Sequence, residues 1–141
     1  MMNKGNTYLV EFNAGQQLKE NPTILRIFMN EEFTKIDFGY VAPWKYVRGG
    51  WIRIAPYTFL KVKGDNKRYK LINAENIPLS PDQFEFESTE DWRVFTLYFE
   101  PLPIKDCIFD IIEEVNPNSN DFNYTEISLL TKGKLQTNPL F

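Results

Sequence analysis

The stretch Trp44-Lys45-Tyr46-Val47-Arg48-Gly49-Gly50-Trp51-Ile52-Arg53 carries the residue types best suited to recognition. Trp and Tyr present flat faces that stack on sugars or bases, and with Arg they are enriched at protein-binding hot spots. Trp44, Tyr46, Arg48, Trp51 and Arg53 are therefore candidate binding residues, for a protein partner first and a glycan second. The competing structural reading makes Trp51 a core tryptophan and Trp44 a pin that holds its loop to the end of the fold. A second candidate is a basic face of Lys61, Lys63, Arg68 and Lys70, which share the outer side of an expected hairpin. Such a face serves solubility by discouraging edge-to-edge aggregation, or it offers a site to an acidic partner.

Catalytic chemistry finds little support. The chain has no histidine, which removes the commonest general base, the usual zinc ligand and every Ser-His or Cys-His nucleophile pair. Cys107 is the single cysteine, so neither an internal disulfide nor a thiolate-rich zinc site can form, and it reads as a small buried hydrophobe. Two carboxylate pairs exist, Glu85 with Glu87 and Glu113 with Glu114. The first shares a strand face, as a glycosidase couple would, but acids spaced by two usually mark only a wet face. Asn116, Asn118, Asn120 and Asp121 alternate like calcium ligands, yet the glycine and terminal glutamate of a calcium loop are missing, so an ordinary turn is expected. Gly49-Gly50 lacks the lysine, spacing and following helix of a phosphate loop. The expectation is a non-enzyme without metal or cofactor. A net charge of -3 gives no reason to expect nucleic-acid binding.

The elements that must position these residues read as strands. The 141 residues suit one domain, and 43% hydrophobic with 16% aromatic content makes it globular. The chain is organised around residues 92–113. There Phe95, Leu97 and Phe99 alternate with Thr96 and Tyr98 at the period of a strand, and Pro101-Leu102-Pro103 ends the ladder because proline has no N–H to donate. Tyr8, Val10 and Phe12 alternate in a first strand, and residues 23–29 are apolar enough for burial on both faces. In 33–41, Ile36, Phe38 and Tyr40 point one way and Lys35, Asp37 and Gly39 form a wet face. Residues 58–62 and 67–72 flank Lys63-Gly64-Asp65-Asn66, the clearest hairpin, with Leu60, Val62, Tyr69 and Leu71 inward. Residues 107–115 fit a short amphipathic helix or a strand, and their isoleucine content favours the strand. The sum is an all-β fold, a single antiparallel sandwich of about seven to nine strands over residues 1–131, followed by a tail at 132–141.

Several runs together resemble a known family: Trp51-Ile52-Arg53-Ile54, Tyr69-Lys70-Leu71-Ile72, Ala74-Glu75-Asn76-Ile77-Pro78-Leu79, Phe95 to Pro103 and Phe109-Asp110-Ile111-Ile112-Glu113. Over about residues 33–130 they look like an uncharacterised bacterial family of immunoglobulin-like β-sandwich modules. Its members occur alone or ahead of other domains, sometimes thioredoxin-like, often in exported proteins. The resemblance implies architecture and no chemistry. The expected function is a non-catalytic binding or assembly module for a protein partner or a homo-oligomer. The alternative is a glycan-binding module of an exported bacterial protein. No run approaches the roughly 20 apolar residues of a membrane span. The compartment reads as cytoplasmic as the chain is written, or as periplasmic or cell-surface if an export signal has been removed.

Overall fold

A computed structural model describes residues 6–17, 21–41, 51–80, 82, 84–85, 92–113, 122–131 and 136–137. The regular elements among them are all strands: β1 (Tyr8–Asn13), β2 (Thr23–Met29), β3 (Thr34–Val41), β4 (Trp51–Ile52), β5 (Phe59–Val62) and β6 (Tyr69–Glu75). They continue with β7 (Phe84–Glu85), β8 (Trp92–Phe99), β9 (Cys107–Ile112), β10 (Tyr124–Leu130) and β11 (Gln136–Thr137). Every ladder between them is antiparallel. The all-β antiparallel class read from the sequence is thus the observed one, with residues 107–112 a strand.

The order β10-β9-β5-β6-β8-β3-β2-β1 is completed by pairing of β10 with β1, so eight strands close into a barrel. Alternation alone had suggested a sandwich of two facing sheets. Two strands change neighbours along their length and make the closure. β1 pairs with β2 through Tyr8, Leu9 and Val10 and with β10 through Glu11, Phe12 and Asn13. β6 pairs with β5 at Tyr69 and Lys70 and with β8 from Leu71 to Glu75. β11 lies against Tyr8 and Leu9, and β4 with β7 forms a separate ribbon.

Burial follows the two-residue period where the strands face the lumen. Val10, Ile27, Ile36, Phe38, Leu60, Val62, Tyr69, Phe95, Leu97, Phe99, Phe109, Ile111, Ile127 and Leu129 are buried, whereas Leu71 is only half-buried. Phe38 stacks on Phe95 at 5.1 Å between centroids, and Phe122 meets Tyr124 edge-on at 4.8 Å. Offset and edge-on pairs of this kind add about 0.5–1.5 kcal/mol each beyond the area they bury. The Tyr124 hydroxyl donates to the Pro22 carbonyl at 2.6 Å, so its polar end is satisfied inside the core.

Two expectations about faces change. β2 buries Ile24, Ile27, Phe28 and Met29 but exposes Thr23, Leu25 and Arg26, because a bulge between Ile24 and Arg26 turns Leu25 outward over Gly39. On β3, Lys35 and Asp37 are buried at 7% and 3% exposure instead of wet. The neighbouring strands supply the cover: Phe28 and Tyr98 stand opposite Lys35, and Arg26 and Thr96 stand opposite Asp37.

Candidate functional site

Several candidate residues lie outside the described part of the chain: Trp44, Tyr46 and Arg48, together with Glu87, Glu114, Asn116, Asn118, Asn120 and Asp121. Of the rest, Trp51 sits on β4 opposite Glu85 of β7, and Arg53 is exposed just beyond. Glu113 performs a structural task. Its Oε2 accepts the Ala55 N–H and its Oε1 the Phe122 N–H, both at 2.9 Å, so it fastens two loops to the end of β9. Among the described residues no three His, Cys, Asp or Glu gather as metal ligands, and no helix is long and apolar enough to cross a membrane.

The basic face forms as a group on the β5–β6 hairpin, and the hairpin itself engages part of it. Lys61 is half-buried and its Nζ donates to the Asp65 carbonyl at 2.7 Å. Arg68 is exposed but its guanidinium lies 4.4 Å above the Phe59 ring, which it helps to cover. Lys63 and Lys70 are exposed, and the Lys70 N–H donates to Glu100 Oε1 at 2.9 Å.

The outer surface of β2, β3, β8 and β6 carries a polar belt that strand alternation did not reveal. Asp37 receives Arg26 Nε at 3.0 Å and the Thr96 hydroxyl at 2.7 Å. Lys35 Nζ lies 5.0 Å from the Phe28 ring and 6.0 Å from the Tyr98 ring. Burial pushes the Lys35 ammonium below its usual range, with Asp37 and Glu75 opposing the shift. Burial also raises the Tyr98 hydroxyl, and the hydrogen bond to Glu75 carries it further, to about 12. Every polar group named in this belt has a partner across the strands.

Where β1 parts from β2, a recess of about 250 Å³ opens beside Ala14, Gln17, Asn21, Ile24 and Tyr124. Its amides are already used. Gln17 donates Nε2 to the Thr125 carbonyl at 2.9 Å and accepts the Thr125 N–H at Oε1 at 3.1 Å, so a side chain replaces a missing strand on β10. Asn21 does likewise for the Asn123 carbonyl at 3.0 Å.

Among the described residues, no such side-chain plug stands at the corner of β6. Leu71 donates its N–H to the Thr58 carbonyl, and beyond the register shift at Ile72, Asn73 to Glu75 pair with β8 alone among the described residues. Ile72 is 55% exposed there, on a strand whose alternate backbone groups must face the open side. Exposed apolar side chains also mark β8, with Trp92 at 69%, and the outer faces of β9 and β10, with Ile108 and Leu130. None of these was distinguishable in the sequence from its inward neighbours; the signal for Ile108 and Leu130 was only their place next to Phe109 and Leu129 in unbroken apolar runs. No protein family, curated protein or solved structure matches the chain.

Proposed function

We propose that the protein is a non-catalytic binding or assembly module that receives a strand from another protein along the open side of β6. The observation behind this reading is that Asn73 to Glu75 pair with β8 alone among the described residues, beside an exposed Ile72. An added strand gains main-chain hydrogen bonds from such a flank, and alternate side chains supply the selectivity. The resemblance to immunoglobulin-like modules belongs to the same proposal and rests on the sequence runs alone, since the strands that carry them, β6, β8 and β9, lie in a closed barrel. The test places a photo-crosslinking amino acid at position 72 in cells that express the protein natively. A discrete adduct that vanishes when position 74 carries the crosslinker in an Ile72→Lys background supports the reading, since an edge lysine blocks strand addition without touching the core. Absence of an adduct, or one indifferent to the lysine, sinks it.

A glycan-binding role is the second reading, supported by the exposed indole of Trp92 on a rigid strand. It requires that Trp92→Ala abolish retention on a panel of immobilised oligosaccharides.

A further inference from the structure

β1 is gripped unequally on its two flanks. On one, Tyr8, Leu9 and Val10 pair with Met29, Phe28 and Ile27 of β2. On the other, which barrel closure gives to β10, Glu11 to Asn13 pair with Leu130 to Ser128, and β11 takes over with Gln136 opposite Leu9 and Thr137 opposite Tyr8. From Leu130 to Gln136 the chain advances six positions while β1 advances two, so β11 starts a ladder of its own. Two opposed residue pairs of an antiparallel ladder include one hydrogen-bonded pair, so β11 hangs on about two main-chain bonds. The barrel closes without it, through β10. Asp106 keeps the end of β10 in place, because its Oδ1 accepts the Thr131 N–H at 2.7 Å and hydroxyl at 2.9 Å.

The residue types across this short ladder are also a poor match. Val10 is buried, so Leu9 beside it points outward, half-buried and opposite Phe28, which is 1% exposed. The residue that β11 sets across from Leu9 is a glutamine, where an aliphatic cross-strand neighbour packs better. We infer that the Tyr8–Val10 flank of β1 is a strand-accepting edge, that β11 guards it in cis, and that its partner is an extended segment of another protein with an aliphatic residue in the place of Gln136. The guard acts by competition. Only four residues separate Thr131 from Gln136, and so short a connection keeps β11 at the flank at an effective concentration of about 1 mM, which an incoming strand must overcome. The partner is of the class read for β6, but the edge is a different one, so either reading stands without the other.

Hydrogen exchange and peptide titration on the full chain, both followed by NMR, test the inference. Successive N–H groups of a strand point to opposite flanks, so of the Tyr8 and Leu9 amides one faces β11 and the other β2. The amide facing β11 should exchange at least about tenfold faster than its neighbour. Proline has no N–H, so Gln136→Pro with Thr137→Pro removes every donor of β11; the fast amide should then lose its protection and the slow one keep it. A synthetic peptide of the sequence Lys134 to Leu140 should shift Tyr8 to Val10 in this variant and bind about tenfold more weakly to the wild type, where β11 competes. The same peptide carrying Gln136→Leu should bind about two- to fivefold tighter. Ile72→Lys, which tests the β6 reading, should change none of this. Two amides that exchange together, a proline variant that unfolds or takes no peptide, equal affinity in variant and wild type, shifts at Ile72 to Glu75 instead, or a leucine peptide no tighter than the glutamine one overturns the inference.

Discussion

Glu113 shows how much of this fold rests on single polar side chains. Its carboxylate joins the N–H groups of Ala55 and Phe122, while its own N–H donates to Asn123 Oδ1 at 2.9 Å. Glu113→Ala strands two backbone donors at the barrel end and should cost about 2–4 kcal/mol in urea unfolding. A loss below about 0.5 kcal/mol would show that water replaces the carboxylate without penalty. In the sequence this glutamate was one of two neighbouring acids with no mark of its task, because its partners lie 58 and 9 positions away. The same distance hides Lys35 and Asp37. Their own strand alternates as a half-wet strand should, and the rings and hydroxyl that cover them come from β2 and β8. By contrast Phe95, Leu97 and Phe99 are legible as inward residues, since successive side chains of a strand point to opposite faces and this alternate set is uniformly large and apolar.

At the scale of elements, β10 carries a bulge between Tyr124 and Ile127 where Glu126 adopts a φ of 54°. The N–H of Glu126 donates to Asp110 Oδ1 at 2.8 Å, which holds the bulge open across β9. A side chain in the left-handed region costs roughly 1 kcal/mol, part of which glycine returns as entropy of the unfolded chain. Glu126→Gly should therefore raise stability by about 0.5 kcal/mol, visible as a higher thermal midpoint. A lower midpoint would assign the Glu126 side chain a contact of its own. The β5–β6 hairpin is readable from its turn residues, and Gly64 indeed takes a φ of 86°. The swap of partners along β1 and β6 is not readable, because each half of those strands has the same alternation and differs only in which distant strand it meets.

For the molecule as a whole, alkaline stability integrates several buried hydroxyls. Tyr98, Tyr69 and Tyr124 all titrate above the ordinary tyrosine value, chiefly through burial. A raised folded value means stability that is whole below pH 10, the unfolded value, and lost as pH climbs through the folded one, about 12 for Tyr98. Lys35 acts in the opposite sense, since its lowered value makes its charged form a burden that eases as pH approaches 10.5. Three hydroxyls against one amine predict a net decline between pH 10 and 12. Tyr98→Phe should flatten that decline when urea midpoints at pH 9 and 11 are compared, and an unchanged slope would place the titration elsewhere.

The ladder between β1 and β10 joins the first described strand to nearly the last. A ribosome releases these two in that order, so β1 must wait, one flank bare, until Tyr124–Leu130 has been made. Completion is consequently a single late event, and a product cut short before residue 124 would emerge with two raw flanks for chaperones or proteases to find.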